Sequence, residues 1–314
     1  MKKILFTGCG GQIGSELTLA FRKIYGNENV IASDVSSKVS EELRDSGPFI
    51  HLDVLDTKAV SEAIEKYEVD AIVHLAAILS AVGEKNPQLA WNVNMNGTMN
   101  IFEIAREKKI ERVLVPSSIA AFGPDTPKVM TPQKTILQPT TMYGVTKVAT
   151  ELLGNYYNLK YGMDIRGLRY PGVISHKTLP GGGTTDYAVA IYFDAVKEGK
   201  YECFLKKDSM LPMIYMPDCL KATVELFQAE KSRLKDATGY NVAAFSVTPA
   251  EITASIRKLI PDFEITYKPD FRQEIADSWP NSIDDHEARE EWDWKPDFDL
   301  DSMTVDMIRE IRLK

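Results

Sequence analysis

A short apolar run from Lys3 to Thr7 opens directly into Gly8-Cys9-Gly10-Gly11-Gln12-Ile13-Gly14, and a stretch with apolar residues Ile13, Leu17, Ala20, Phe21 and Ile24 at helical spacing follows at once. Strand, glycine turn and helix in immediate succession constrain this chain more than any other feature. Gly8, Gly11 and Gly14 give a G-x-x-G-x-x-G spacing. Glycines here permit a tight turn and let the backbone approach a pyrophosphate seated at the positive end of the helix. Gln12 and Ile13, at the helix start, complete this candidate phosphate site. Cys9 reads as a small filler residue rather than a reactive thiol.

The strand Val30-Ile31-Ala32-Ser33 ends at Asp34, twenty residues after Gly14. A carboxylate in this place accepts both hydroxyls of an adenosine ribose and repels a 2′-phosphate. No Arg follows Asp34, and the nearest cation is Lys38, so NAD is expected over NADP. Asp53, beyond Phe49-Ile50-His51-Leu52, is a candidate for the adenine amino group, with Val54 packing beside it. Its competing reading is a helix cap ahead of Leu55. The strand Ala71 to Leu75 leads to Ala76-Ala77, small side chains that would let a cofactor lie against the backbone, and His74 reads as a satisfied core histidine. Helix is expected from about 87 to 108, enclosing Asn94 and Gly97. Val113-Leu114-Val115 then leads to Ser117 and Ser118. The alternation predicts an α/β chain with a Rossmann-like, doubly wound parallel sheet.

Tyr143-Gly-Val-Thr-Lys147 opens a further helical pattern running through Leu152, Leu153, Tyr156 and Tyr157. Residues four apart share a helix face, so Tyr143 and Lys147 look the same way. A free phenol has a pKa of about 10, and a nearby ammonium is expected to lower it. Such a pair can take the proton from an alcohol while hydride leaves the same carbon. A Y-x-x-x-K match alone is weak, and its weight comes from the glycine turn, the acid at 34 and the serines at 117 and 118.

The charge of −8 is spread without a basic block, which argues against nucleic acid or an anionic membrane surface as partner. Three distant cysteines, Cys9, Cys203 and Cys219, suggest a reducing compartment and no disulfide framework. No apolar run approaches the ~20 residues that span a bilayer, and no removable leader is apparent, so a soluble cytoplasmic protein is expected. His51, His74, His176 and His286 are scattered, and no metal site is expected.

Taken together, the glycine loop, Asp34, Asp53, Leu75-Ala76-Ala77, Asn94-x-x-Gly97-Thr98, Ser118 and Tyr143-x-x-x-Lys147 resemble the extended short-chain dehydrogenase/reductases, the group that includes sugar-nucleotide epimerases. That resemblance covers the full chain. It implies that Ser118, with Phe122-Gly123 following, hydrogen-bonds a substrate hydroxyl, that Ser117 does not, and that Lys147 also holds the nicotinamide ribose. It further implies that Tyr170, Pro171, Val173 and Ile174 run along the nicotinamide through backbone groups, and that the protein is a homodimer built on helices near 94–108 and 143–160. The segments at 180–188, 199–204, 211–216, 267–273 and 277–280 look like the metal-independent branch that oxidises L-threonine with NAD to 2-amino-3-oxobutanoate, on the way to glycine or aminoacetone.

L-Threonine brings an ammonium, a carboxylate and one oxidisable hydroxyl. Asp186 is the candidate for the ammonium; Thr184, Thr185 and the backbone around Gly182 are candidates for the carboxylate. The competing reading makes Asp186 a cap for a helix from Tyr187 to Lys197. By position and resemblance Ser80 would reach the carboxylate from the nucleotide side, against an ordinary loop serine. Trp279 would wall the pocket or simply fill core, and Arg169 and Arg272 are alternative carboxylate partners. Residues 1–174 with about 210–245 are expected to form the nucleotide domain, and about 175–209 with 246–314 a smaller substrate lobe. The rival readings are a sugar-nucleotide epimerase or dehydratase on the same fold and a non-catalytic NAD sensor.

Overall fold

A computed structural model describes residues 3–177 and 183–314. Its strands in chain order are β1 (Ile4–Thr7), β2 (Val30–Asp34), β3 (Phe49–His51), β4 (Ala71–His74), β5 (Arg112–Leu114), β6 (Ser117–Ser118), β7 (Ile165–Arg166), β8 (Leu168–Tyr170), β9 (Gly172–Ile174), β10 (Lys200–Cys203), β11 (Leu211–Tyr215), β12 (Tyr240–Asn241), β13 (Phe245–Val247) and β14 (Glu264–Tyr267). The helices are α1 (Gln12–Tyr25), α2 (Glu41–Asp45), α3 (Thr57–Tyr67), α4 (Ser80–Lys85), α5 (Pro87–Trp91), α6 (Thr98–Glu107), α7 (Met142–Tyr161), α8 (Tyr187–Lys197), α9 (Met216–Gln228), α10 (Pro249–Arg257), α11 (Arg272–Ser278), α12 (His286–Trp292) and α13 (Leu300–Arg312).

Six strands form a parallel sheet in the order β3-β2-β1-β4-β5-β7. Alternate strand residues face opposite sides, as a sheet covered on both faces requires. Leu5, Ile31, Ile72 and Val113 pack with Ile64, Ile101 and Phe102 on one side. Ile4, Phe6, Val30 and Val73 pack with Leu17, Phe21 and Phe227 on the other. Each such side chain, fully buried, contributes roughly 1.5–3 kcal/mol by leaving water. A third cluster gathers Tyr187, Tyr192, Met213, Ile252, Ile256 and Met307 from α8, β11, α10 and α13. That cluster joins β11, which the sequence reading gave to the nucleotide domain, to α8, α10 and α13 of the expected substrate lobe, and it also takes in Ile119, Phe122 and Ile174.

Strand order reverses between β1 and β4, and the gap outside their carboxyl ends is where such folds place a ligand. Two glycines make that gap. Gly8 has φ +75, and a Cβ on it would lie 2.5 Å from the Ala76 nitrogen. A Cβ on Gly14 would lie 2.3 Å from the Gly8 carbonyl oxygen. The turn, the helix start and the segment after β4 therefore meet backbone to backbone.

Several local readings change. The expected helix at 87–108 is present, but Asn92–Gly97 forms a π-helical stretch between α5 and α6. Asp53 is no helix cap: its Oδ1 accepts the Leu55 N–H at 2.9 Å, and Asp56 caps α3 by accepting the Ala59 N–H. Ser80 is the first residue of α4 rather than a loop serine. Asp186 stands at the cap position of α8, yet its side chain makes no capping bond.

Gly14→Ala drives a Cβ into a backbone carbonyl that no side-chain motion relieves. It is expected to cost about 1–3 kcal/mol of stability, as overpacking of a rigid site does, and to abolish dinucleotide binding. Thermal unfolding with and without cofactor checks both.

Candidate active site

The helix α1 begins at the glycine turn with no side-chain cap and no acid in its first turn. Its leading N–H groups and its positive end are therefore left for an anion. A cleft of about 860 Å³, counting its open mouth, runs from this point along Gly8, Gly11, Gln12, Ile13 and Gly14, past Leu75, Ala76, Ala77 and Asn94, to Tyr143, Lys147 and Tyr170. The uncapped helix end and the glycines that a Cβ would fill fit a dinucleotide. Asp34 accepts N–H bonds from Gly10 and Ser36, each at 2.8 Å, which fixes its carboxylate beside the turn. Asp53 follows the neighbouring strand end, where Leu52 N–H bonds the Asp34 carbonyl. Val54 is buried, and Gly97 has no side chain to displace it: a Cβ there would stand 2.8 Å from Val54.

Asn94 owes its inward aim to the π-helical turn. It bonds Ile78 in both directions, accepting its N–H at 2.7 Å and donating to its carbonyl at 3.1 Å, and donates to Thr146 Oγ1 at 3.1 Å. The loop after β4 is thereby tied to α7. His74 is the satisfied core histidine expected from the sequence: Thr7 Oγ1 lies 2.7 Å from Nδ1, Thr98 Oγ1 lies 3.2 Å from Nε2, and burial takes its pKa down to about 3.

At the start of α7, Thr141 caps by accepting the Gly144 N–H at 3.1 Å, and Glu84 on α4 accepts the Met142 N–H at 2.6 Å. These two bonds set the helix end that carries Tyr143. The phenol differs from expectation. Burial pushes its pKa up to about 12, partly opposed by its hydrogen bond with Ser118. Lys147 does not grip the phenol oxygen; its ammonium donates to the Pro116 carbonyl at 2.7 Å and lies 5.4 Å from the Tyr143 ring centre. Burial brings the Lys147 pKa down to about 8, with the Glu151 carboxylate acting in the opposite direction. The lowering agent on Tyr143 is thus Ser118, on β6.

A second pocket meets the first at Ile13, Tyr143, Ser117 and Tyr170. Ser80, Ser118, Pro171, Val173, Thr184, Thr185, Asp186 and Trp279 all line it. Trp279 is both wall and core, being buried and packed in the third cluster. Thr184 Oγ1 is fully buried and has no hydrogen-bond partner among the described residues. A buried hydroxyl is expensive in that state and is suited to a polar ligand. Asp186 turns away from the helix it precedes and accepts the Gly183 N–H at 2.7 Å. Gly182 lies outside the described residues. Ile174 puts its side chain in the core, leaving only its backbone for a ligand.

Two carboxylate candidates are otherwise engaged. Arg169 pairs with Glu151 through two bonds of 2.9 and 2.7 Å and also donates to the Gln133 carbonyl and Asn241. Arg272 is clamped on Asp270 and stacks over Phe204. Ser117 donates its hydroxyl proton to Glu151, which leaves Ser118 as the serine bonded to Tyr143. The sequence reading missed Thr98, Pro116 and Thr150 as cleft walls. Of these, Thr98 stands one helical turn beyond Asn94 and Thr150 one turn beyond Lys147, a spacing that gives them away.

The family model for the NAD dependent epimerase/dehydratase family matches residues 4–243. An uncharacterized epimerase/dehydratase of Staphylococcus saprophyticus is 50% identical, covering 100% of this chain and 98% of its own. Among solved structures, the L-threonine dehydrogenase of Phytophthora infestans is 52% identical with a TM-score of 0.95, covering 99% of each chain. That of Clostridium difficile is 51% identical with a TM-score of 0.98, covering 100% of this chain and 98% of its own.

Lys147 also yields a stability prediction. With its pKa near 8 in the folded state and about 10.4 unfolded, the unfolded chain binds the extra proton between those values, so stability rises with pH across that window. Below pH 8 the buried ammonium is a standing cost. Lys147→Met is expected to unfold at an equal or higher temperature than the parent at pH 7 and to lose that component of the pH dependence, as melting curves from pH 7 to 10 will show.

Proposed function

The chain belongs to the NAD dependent epimerase/dehydratase family, and from that premise we propose that this NAD-dependent oxidoreductase oxidises the β-hydroxyl of L-threonine to 2-amino-3-oxobutanoate. One observation carries the reading: the Ser118–Tyr143 pair stands where the cofactor cleft meets a pocket walled by Ser80, Thr184, Thr185, Asp186 and Trp279. The two solved L-threonine dehydrogenases, each at about half identity over nearly the whole chain, support the same choice.

Each of the substrate's three polar groups has a chemical match. The Asp186 carboxylate suits the ammonium, directly or through water. The orphaned Thr184 hydroxyl, with Thr185 and Ser80, suits the carboxylate. Ser118 donates to or accepts from the reacting hydroxyl and holds it against Tyr143, which takes its proton only in the phenolate form, after the phenol has given up its own proton. Lys147, anchored on the Pro116 carbonyl, keeps a positive charge beside the phenol and is placed to bond the nicotinamide ribose. Bound in the cleft, NAD would supply the hydride acceptor for the β-carbon. Asp34 would hold the adenosine ribose and disfavour NADP, Asp53 and Val54 would hold the adenine, and Pro171, Val173 and the Ile174 backbone would border the nicotinamide. Polarisation of the hydroxyl by Ser118 and Tyr143 leaves no step that calls for a metal.

We also place the protein in the cytoplasm, as a homodimer. Cys9, Cys203 and Cys219 are buried thiols, and among the described residues no helix is long and apolar enough to cross a membrane. Trp91, Met99, Leu152, Tyr156, Leu159 and Tyr161 stand exposed along α5, α6 and α7, apolar surface that a second copy would cover.

NADH formation at 340 nm with L-threonine tests the reaction; NADP and a chelator, run alongside, test cofactor choice and metal independence. Absence of threonine-dependent NADH from protein that binds NAD would sink the substrate assignment. Tyr143→Phe is expected to retain NAD binding and to lose about 10²–10⁴-fold in turnover, the share a positioned base supplies. For assembly, Leu159→Glu places a charge on a side chain that is 80% exposed. Light scattering should then report a single chain's mass for the variant and twice that mass for the parent, with melting temperature unchanged.

A further inference from the structure

Tyr143, Lys147 and Glu151 form one row along α7, each four residues from the last. The first two serve the proposed oxidation, and the role inferred for the third rests on that reading. Glu151 reaches into the protein behind them. Its carboxylate accepts from the Ser117 hydroxyl and from Nε and Nη2 of the Arg169 guanidinium, so it is fixed from β6 and from β8 at once. Arg169 is itself held by the Gln133 carbonyl and Asn241 Oδ1, each at 3.0 Å, and by the face of Phe122. Every group in this set is buried.

The placement has two consequences for the reacting residues. Ser117 precedes Ser118 on β6, so the Glu151–Ser117 bond sets how far the strand bearing Ser118 stands from the helix bearing Tyr143. The Pro116 carbonyl that receives the Lys147 ammonium lies on the same short segment. Glu151 also keeps a negative charge one turn behind that ammonium. The other ionisable groups facing Lys147 are neutral at working pH: Tyr143, raised by burial, and His74, lowered by it. Arg169 balances part of the Glu151 charge from the far side.

We propose that Glu151, clamped by Ser117 and Arg169, is a positioning residue of the reaction, which sets the spacing of α7 against β6 and keeps a carboxylate one helical turn behind the Lys147 ammonium. Burial alone draws the Lys147 proton off, and the Glu151 carboxylate works against this. Glu151→Gln keeps the shape of the side chain and removes the charge.

Competitive acetylation with acetic anhydride, followed by mass spectrometry of the Lys147 peptide across pH 6 to 11, reads the titration of Lys147 without any substrate. In Glu151→Gln the Lys147 midpoint is expected at lower pH than in the parent. The high-pH limb of kcat should move the same way, while KM for NAD stays within about twofold. A Lys147 midpoint that does not move overturns the proposal, whatever the substrate proves to be. Should Glu151→Gln fail to fold with Arg169 unpaired, Ser117→Ala keeps the ion pair and removes only the strand bond. It is expected to lower kcat at least fivefold with the Lys147 midpoint in place, and unchanged kcat in that variant would overturn the positioning role. Loss of threonine turnover in the parent, with the Lys147 midpoint still shifted in Glu151→Gln, would strike the substrate assignment and leave this inference standing.

Discussion

A single chain of hydrogen bonds joins the ends of β1 and β4 to Tyr143, and its direction is forced. Thr146 Oγ1 donates to the Tyr143 carbonyl and accepts from Asn94. Thr98 Oγ1 donates to the Asn94 carbonyl, so it has only lone pairs left for His74 Nε2. His74 must then carry its proton on Nε2 and accept at Nδ1 from the Thr7 hydroxyl. Burial keeps the ring neutral, which is the only state in which one nitrogen donates and the other accepts. Through this chain the end of β1, the end of β4, the π-helical turn and α7 share one register. The chain thereby ties the segment beside the glycine turn to Tyr143.

Electrostatics around the reacting groups follow from the same enclosure. Removing Tyr143 and Lys147 from water raises one pKa and lowers the other, so both favour their neutral forms. Ser118 and Glu151 are the two side chains that act against this, each supplied from a different direction. The phenol and the ammonium are thus tuned by separate partners rather than chiefly by each other.

Much of this was legible in the sequence because it depends on local spacing. The glycines at 8, 11 and 14, Asp34 at the end of its strand and the i,i+4 relation of Tyr143 to Lys147 each announce their geometry within a few residues. The parallel sheet followed from alternation. What was not legible depends on contacts between distant segments. Nothing local shows that Lys147 would reach Pro116, thirty-one residues away, or that Arg169 would be taken by Glu151. Asp186 occupied the cap position the sequence indicated, but its side chain was drawn back to Gly183. His74 was legible as a satisfied histidine, though not as a link between two strands and a helix.

The π-helical turn at Asn92–Gly97 holds one residue more than an α-helical turn of the same height. A helix advances by about 100° per residue, since about 3.6 residues complete a turn. An α-helical turn of the same height needs one residue fewer, so deleting a residue from this stretch would restore regular winding and leave α5 and α6 facing nearly as before. What the deletion would remove is the widened turn itself, and with it the aim of Asn94 at Ile78. Length at this turn therefore matters to Asn94 more than to the helices that flank it.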